Sequence, residues 1–151
     1  MKIAIIRQKF VLYGGAEQFA DGFIHQLAES GHEVHIFANR WTPSHHKNIH
    51  HHFVATLNFN SFFRTLSFAR TVAKEIREEN FDIVQSHEKT WSQDVYRAGD
   101  GCHIKWLHQR GKQISPIKKL FLFLNPFHRL ILNLEKNIFE SGQCKKIIAI
   151  S

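Results

Sequence analysis

Cysteine is scarce in this chain: Cys102 and Cys144 are the only two among 151 residues. Their separation matches no metal-ligand or redox spacing and supplies no disulfide framework. Residues 1 to 7 lack the long apolar stretch of a secretion signal. Few thiols and no leader together point to a reducing cytoplasm. Long apolar runs are missing too. The longest, Ile117 to Leu134, is interrupted by Lys118, Lys119, Asn125, Pro126, His128 and Arg129. Charges at the centre of a bilayer are costly, so this stretch is expected to lie on a surface rather than cross a membrane. Internal repeats, low-complexity tracts and interdomain linkers are absent as well. Residues 1–151 therefore read as one domain.

Acidic residues are outnumbered, 13 Asp and Glu against 20 Lys and Arg, for a formal charge of +7. The excess is heaviest between Lys105 and Lys119. A solvated basic face is the plain explanation. An anionic membrane surface is the functional one, since each nearby basic residue contributes about 1 kcal/mol there. Nucleic acid is not expected as a partner, because no reader motif or stacking platform is present. Phenylalanine, by contrast, is abundant at 14 copies, which predicts an aromatic-rich core.

Strand and helix patterns alternate along the chain. Lys2 to Arg7 holds Ile3-Ala4-Ile5-Ile6, a run suited to a strand covered on both faces. In residues 16–30, Phe19, Ala20, Phe23, Ile24, Leu27 and Ala28 recur at helical spacing. Gly31 is the expected C-terminal cap of that helix. Strands are predicted over 32–38, 49–56, 81–85, 94–98 and 146–150. A second helix is predicted over 60–79, with Phe62, Phe63, Leu66, Ala69, Ala73 and Ile76 facing inward. Residues 103–112 and 116–141 should be helical, the latter broken at Asn125-Pro126. This alternation predicts an α/β fold, a Rossmann-like doubly wound parallel sheet. The closing segment Lys-Lys-Ile-Ile-Ala-Ile-Ser, 145–151, reads as a buried strand of the kind that leads to a cleft. On that reading the chain is half of a two-domain machine.

In such folds ligands sit beyond the carboxyl ends of the strands. Three segments there carry chemistry. Gly14-Gly15 precedes the first long helix, where unpaired amides and the helix dipole favour an anion. The Gly-x-Gly-x-x-Gly spacing is absent, and Ala38-Asn39-Arg40 ends the second strand without a ribose-binding carboxylate, so a nicotinamide dehydrogenase is not expected. Ser86-His87-Glu88 follows the fourth strand, with His87 as the candidate ligand contact or a hydrogen-bonded loop residue. Gly99-Asp100-Gly101-Cys102-His103 follows the fifth. There Asp100 is free of crowding and can reach into a cleft, or can close an Asx-type turn. Cys102 has no activating neighbour beyond His103 and is expected to be buried rather than nucleophilic.

His45, His46, His50, His51 and His52 form a dense patch, with His50 and His52 on one strand face. No cysteine or well-placed carboxylate completes a ligand set in the sequence, so no metal site is expected.

Three segments together resemble one family: Tyr13-Gly14-Gly15-Ala16-Glu17-Gln18-Phe19-Ala20, Gly31-His32-Glu33-Val34, and Asp94-Val95-Tyr96-Arg97-Ala98-Gly99-Asp100-Gly101-Cys102-His103. Leu134-Glu135-Lys136-Asn137-Ile138-Phe139-Glu140 and Ile147-Ile148-Ala149-Ile150-Ser151 extend the likeness. The chain resembles the N-terminal domain of family 4 glycosyltransferases of the GT-B superfamily. Bacterial enzymes that build lipopolysaccharide core or other surface glycans are the most similar in pattern.

The resemblance implies transfer of a sugar from a nucleotide sugar to a glycan or lipid-linked acceptor, with retention at the anomeric carbon and with no metal or other cofactor. It implies that Gly14 and Gly15 face the donor diphosphate. Asp100 would stand near the reacting sugar or the acceptor hydroxyl as the catalytic residue, with Gly101 and His103 shaping that substrate-binding loop, while His87 is a candidate substrate contact only from its place after the fourth strand. The family's C-terminal nucleotide-sugar domain has no counterpart in these residues. A truncated gene product, a fragment or a split enzyme with a C-terminal partner would each fit, and activity in isolation is expected to be weak or nil. The basic and aromatic stretch from Trp106 to Arg129 fits a peripheral location on the inner face of the cytoplasmic membrane. A non-catalytic module that binds a glycolipid or a protein is the other functional class left open.

Overall fold

The computed structural model of the chain describes residues 1–10, 15–41 and 46–149. In chain order the elements are β1 (Lys2–Ile6), β2 (Lys9–Phe10), α1 (Gly15–Glu29), β3 (Glu33–Ala38), β4 (Arg40–Trp41), β5 (Ile49–Phe53) and α2 (Ser61–Glu78). They continue as β6 (Ile83–Ser86), β7 (Val95–Ala98), α3 (His103–Gly111), α4 (Pro116–Leu124), α5 (Pro126–Glu140) and β8 (Lys146–Ala149). Six strands form one parallel sheet in the order β5-β3-β1-β6-β7-β8. This is the 3-2-1-4-5-6 order of Rossmann-type sheets, whose direction of winding reverses beside the first strand. The reversal falls between β1 and β6.

The winding follows from β1. Its side chains alternate, and both sides are apolar. Ile3 and Ile5 join Ala20, Ile24 and Ala28 of α1 and Val34 and Ile36 of β3 on one face. Ala4 and Ile6 join Phe37, Phe68, Val72 and Val84 on the other. A central strand with no polar side must be covered twice, so helices lie on both faces. Each fully buried isoleucine contributes about 1.5–3 kcal/mol to this arrangement. Gly31 ends the α1 segment with φ 84, a left-handed conformation that costs glycine little.

Helix α2 buries Phe68, Ala69, Val72 and Ala73. This differs from the expected face, since Phe63 is 42% exposed. The helix serves two neighbours. Phe68 and Val72 meet the sheet, while Phe62 and Leu66 turn toward Leu130, Ile131 and Leu134 of α5. The predicted break at Asn125-Pro126 is a junction of two helices. Pro126 occupies the first turn of α5, where its missing N–H is no loss, and Asn125 Oδ1 accepts from Phe127 N at 2.9 Å.

Strand β8 departs from the expectation of burial. All four of its residues are exposed, Ile147 and Ile148 each by 46%. It is an edge strand, and it is tied on through Asp94, whose carbonyl accepts from Lys145 N and Lys146 N. Ile150, predicted to belong to it, lies outside the described residues. The short parallel pair β2–β4, Lys9 with Arg40 and Phe10 with Trp41, was not expected from the sequence. Two-residue strands leave no periodicity to detect.

Candidate functional site

The reversal point between β1 and β6 brings two loops together. His87 N donates to Ile6 O at 2.9 Å, and Gln8 N donates to Glu88 Oε1 at 3.2 Å. The segment after β6 is held from within. Ser86 Oγ donates to Glu88 O at 2.6 Å, and Thr90 Oγ1 donates to Gln93 Oε1 at 2.5 Å. Ser86, Thr90 and Gln93 are buried, and these bonds meet the Ser86 and Thr90 hydroxyls, while Gln93 Nε2 is buried without a partner.

A cavity of about 100 Å³ opens here, lined by Gln8, Thr65, Phe68, Glu88, Lys89, Asp100 and Ile131. A water occupies about 30 Å³ of liquid, so the space admits a hydroxyl-bearing carbon and not a whole sugar ring. Glu88 and Asp100 supply two carboxyls to it. Burial pushes the Glu88 carboxyl above its ordinary range, and the Asp100 charge adds to this. The Gln8 amide, Arg7 and Lys89 oppose the shift. One acid that holds its proton more readily beside a second, exposed one is an arrangement able to give and accept hydrogen bonds.

Behind the cavity lies a third carboxylate. Glu135 of α5 is 4% exposed, and its Oε1 accepts from His103 N at 2.7 Å. Cys102, the N-cap residue of α3, makes no side-chain cap bond, so Glu135 replaces it from across the fold. A negative charge at a helix N-terminus is also favoured by the helix dipole. Lys89 Nζ stands 3.7 Å from Glu135 Oε1, which links the β6 loop to α3 and α5.

The predicted residues do not all converge. Asp100 reaches the cavity rim. Gly15 is the first residue of α1, at the same carboxyl edge of the sheet, and Gly14 lies outside the described residues. His87 turns away from the cavity: the Gln85 amide Nε2 lies 2.9 Å from His87 Nε2, which leaves the ring neutral when the amide donates. Burial first, then the charges of Arg97 and Arg7, lower its pKa to about 4.

Gly101 lines a neighbouring open groove of about 590 Å³, with Lys105, Trp106, His108 and Lys112. His103 opens α3, with its ring stacked on Trp106 at 5.5 Å and its Nε2 3.1 Å from His128 Nδ1. Burial lowers the pKa of both His103 and His128, and the His128 ring also disfavours a proton on His103. Cys102 is exposed, contrary to expectation. Its extended backbone ahead of α3 leaves the thiol outside the core.

Gln8, Glu88, Lys89, Glu135 and His128 were not singled out in the sequence. Glu135 left a signal. It stands among Leu130, Ile131, Leu134 and Ile138 on the apolar stripe of α5, where an acid calls for a buried partner. Glu88 left only its place after a strand at the reversal point.

The sequence pattern described for Glycosyltransferase Family 4 matches residues 13–151. The chain belongs to glycosyltransferase family 4. Its fold is that found in the crystal structure of WaaG, a glycosyltransferase involved in lipopolysaccharide biosynthesis, with a TM-score of 0.80 and 21% identity. The match covers 95% of this chain and 37% of WaaG, so the family 4 chain spans little more than a third of that protein's length. A comparison with curated proteins gave no significant match.

Proposed function

We propose that the chain forms the acceptor side of a retaining glycosyltransferase that moves a sugar from a nucleotide sugar to a glycan or lipid-linked acceptor, of the kind used in lipopolysaccharide or surface-polysaccharide synthesis. The observation that carries this reading is the Glu88–Asp100 cavity at the sheet's reversal point in a family 4 chain. Asp100, at the rim, orients the acceptor hydroxyl. Glu88, deeper and more readily protonated, hydrogen-bonds the neighbouring oxygen.

The start of α1, at Gly15, offers its backbone amides to the leaving diphosphate, where negative charge develops. In a retaining transfer of this kind the departing phosphate oxygen takes the hydroxyl proton, so no base need be assigned to Asp100. These groups meet the charge without a metal or a cofactor. A C-terminal partner domain would hold the nucleotide, and the chain without it would turn over little.

Helix α4 gives the acceptor a place to come from. Ile117, Leu120, Phe121 and Leu124 share one face at three- and four-residue spacing, and all are more than half exposed. No residue of α4 is buried. Lys118 and Lys119 lie on the same helix, with the stem of Lys119 beside Gly111 of α3, and no helix among the described residues is long and apolar enough to cross a membrane. An exposed apolar stripe on a helix that also carries two lysines suits the surface of an anionic bilayer. The groove beside α3 reaches Gly101, next to Asp100.

The test supplies a C-terminal nucleotide-sugar domain to this chain and measures transfer of labelled sugar to a lipid-linked acceptor. Transfer that Asp100→Ala abolishes supports the reading. Acceptor binding with no transfer in any combination makes the chain a binding module. Flotation with anionic liposomes checks the membrane surface, and failure to float at low salt ends that part of the proposal.

A further inference from the structure

The amino-terminal end of the sheet, opposite the rim just described, carries a cluster that the strand register creates. β3 and β5 pair in parallel with His35 opposite His50 and Phe37 opposite His52. Glu33, His35 and His50 each present one ligand atom, and the three atoms lie within 4.8 Å of one another. Glu33 Oε1 stands 2.9 Å from His35 Nε2 and 3.7 Å from His50 Nε2. Donors around a tetrahedral zinc ion, each about 2.0–2.1 Å from the metal, stand about 3.3 Å apart. The two Glu33 separations straddle that value, and the two histidine donors, within 4.8 Å of each other, must close toward it on binding. The carboxylate that the sequence did not place is Glu33.

We propose that Glu33, His35 and His50 form a binding site for one divalent transition-metal ion of the zinc class, with its remaining coordination open to water. The donor set argues for that class. Two imidazoles and one carboxylate suit zinc, cobalt, nickel or copper, whereas magnesium and calcium take oxygen ligands.

The site has an outer support. His35 is 6% exposed, and its Nδ1 lies 2.7 Å from His52 Nε2. With both rings neutral and His35 Nε2–H donating to Glu33, His52 Nε2–H donates to His35 Nδ1. When an ion takes His35 Nε2, each ring moves its proton to Nδ1, and His35 Nδ1–H then donates to His52 Nε2. A second-sphere acceptor of this kind orients a ligating imidazole. Glu79 Oε2, 4.0 Å from His35 Nδ1, is paired with Lys2 Nζ at 2.9 Å, so it does not compete for the ion. Glu33 and His50 are about half exposed, which leaves the site open to solution.

The chain itself is titrated with Zn²⁺ by calorimetry in a non-chelating buffer, and with Co²⁺ by visible absorption. One equivalent is expected to bind, with a tetrahedral cobalt spectrum. Glu33→Gln and His50→Gln, at exposed positions that leave the core intact, should each weaken binding by about tenfold or more. His25→Gln with His46→Gln, a histidine pair elsewhere, should leave it unchanged. Binding that survives both Glu33→Gln and His50→Gln, or that is lost only in the His25/His46 variant, overturns the site. So does the absence of a saturable one-to-one phase.

Discussion

Glu135→Ala tests the link between α5 and the loop that carries Asp100. The Glu135 side chain is 6% exposed and the Lys89 side chain 13%. Removing the carboxylate leaves the Lys89 ammonium poorly solvated and without its partner, and leaves His103 N without its acceptor. Breaking a buried ion pair from one side costs about 3–5 kcal/mol. A lost helix cap costs about 1 kcal/mol. The two overlap, because both act through the same oxygen, Glu135 Oε1, so about 3–5 kcal/mol is expected for the single change. A domain with about 5–15 kcal/mol of stability would lose a large part of it. Urea unfolding, followed by tryptophan fluorescence and circular dichroism, measures the loss.

A second variant separates charge from packing. Glu135→Leu combined with Lys89→Met removes both ions and restores apolar volume, so it should cost less than Glu135→Ala alone. If Glu135→Ala costs under about 1 kcal/mol, the carboxylate is not holding the two elements together. If the double variant is worse than the single one, the pair is stabilising in its own right and the desolvation argument is wrong.

His87 titrates near 4 in the folded chain against 6.5 ordinarily. Stability from keeping its ring neutral is therefore complete above pH 6.5 and is lost as pH falls toward 4, to a total of about 3 kcal/mol. His87→Gln should flatten that part of the stability–pH curve, and an unchanged slope refutes the assignment. Gly31→Ala forces a side chain into φ 84 and should cost about 1–2 kcal/mol in thermal unfolding. Asn125→Ala should cost about 1 kcal/mol through the lost Phe127 cap, with α5 helicity the readout.

The fold was legible where the signal is local. The two-sided apolar run of β1, the helical spacing through Ala28 and the glycine after it each report on neighbours a few residues away. Proline after asparagine marked the α4–α5 junction for the same reason. The site was legible in part. Asp100 stands where a strand end between glycines suggested, but its partner Glu88 belongs to a different strand loop, and neither residue type nor spacing reveals the pairing. His87 drew attention as the titratable ring of its segment, yet the Gln85 contact turns it inward and leaves the cavity to its neighbour.

What the sequence alone determined is the set of elements and the faces they bury, because periodicity of two or 3.6 residues is written in adjacent positions. Only the tertiary structure decided which loops meet. Strand order set β1 beside β6 and so joined Gln8 to Glu88, and parallel register set His35 against His50 beside Glu33. The exposure of β8 and of the α4 face was likewise decided in three dimensions. An apolar residue shows what it could bury, but only its neighbours in space decide whether anything covers it.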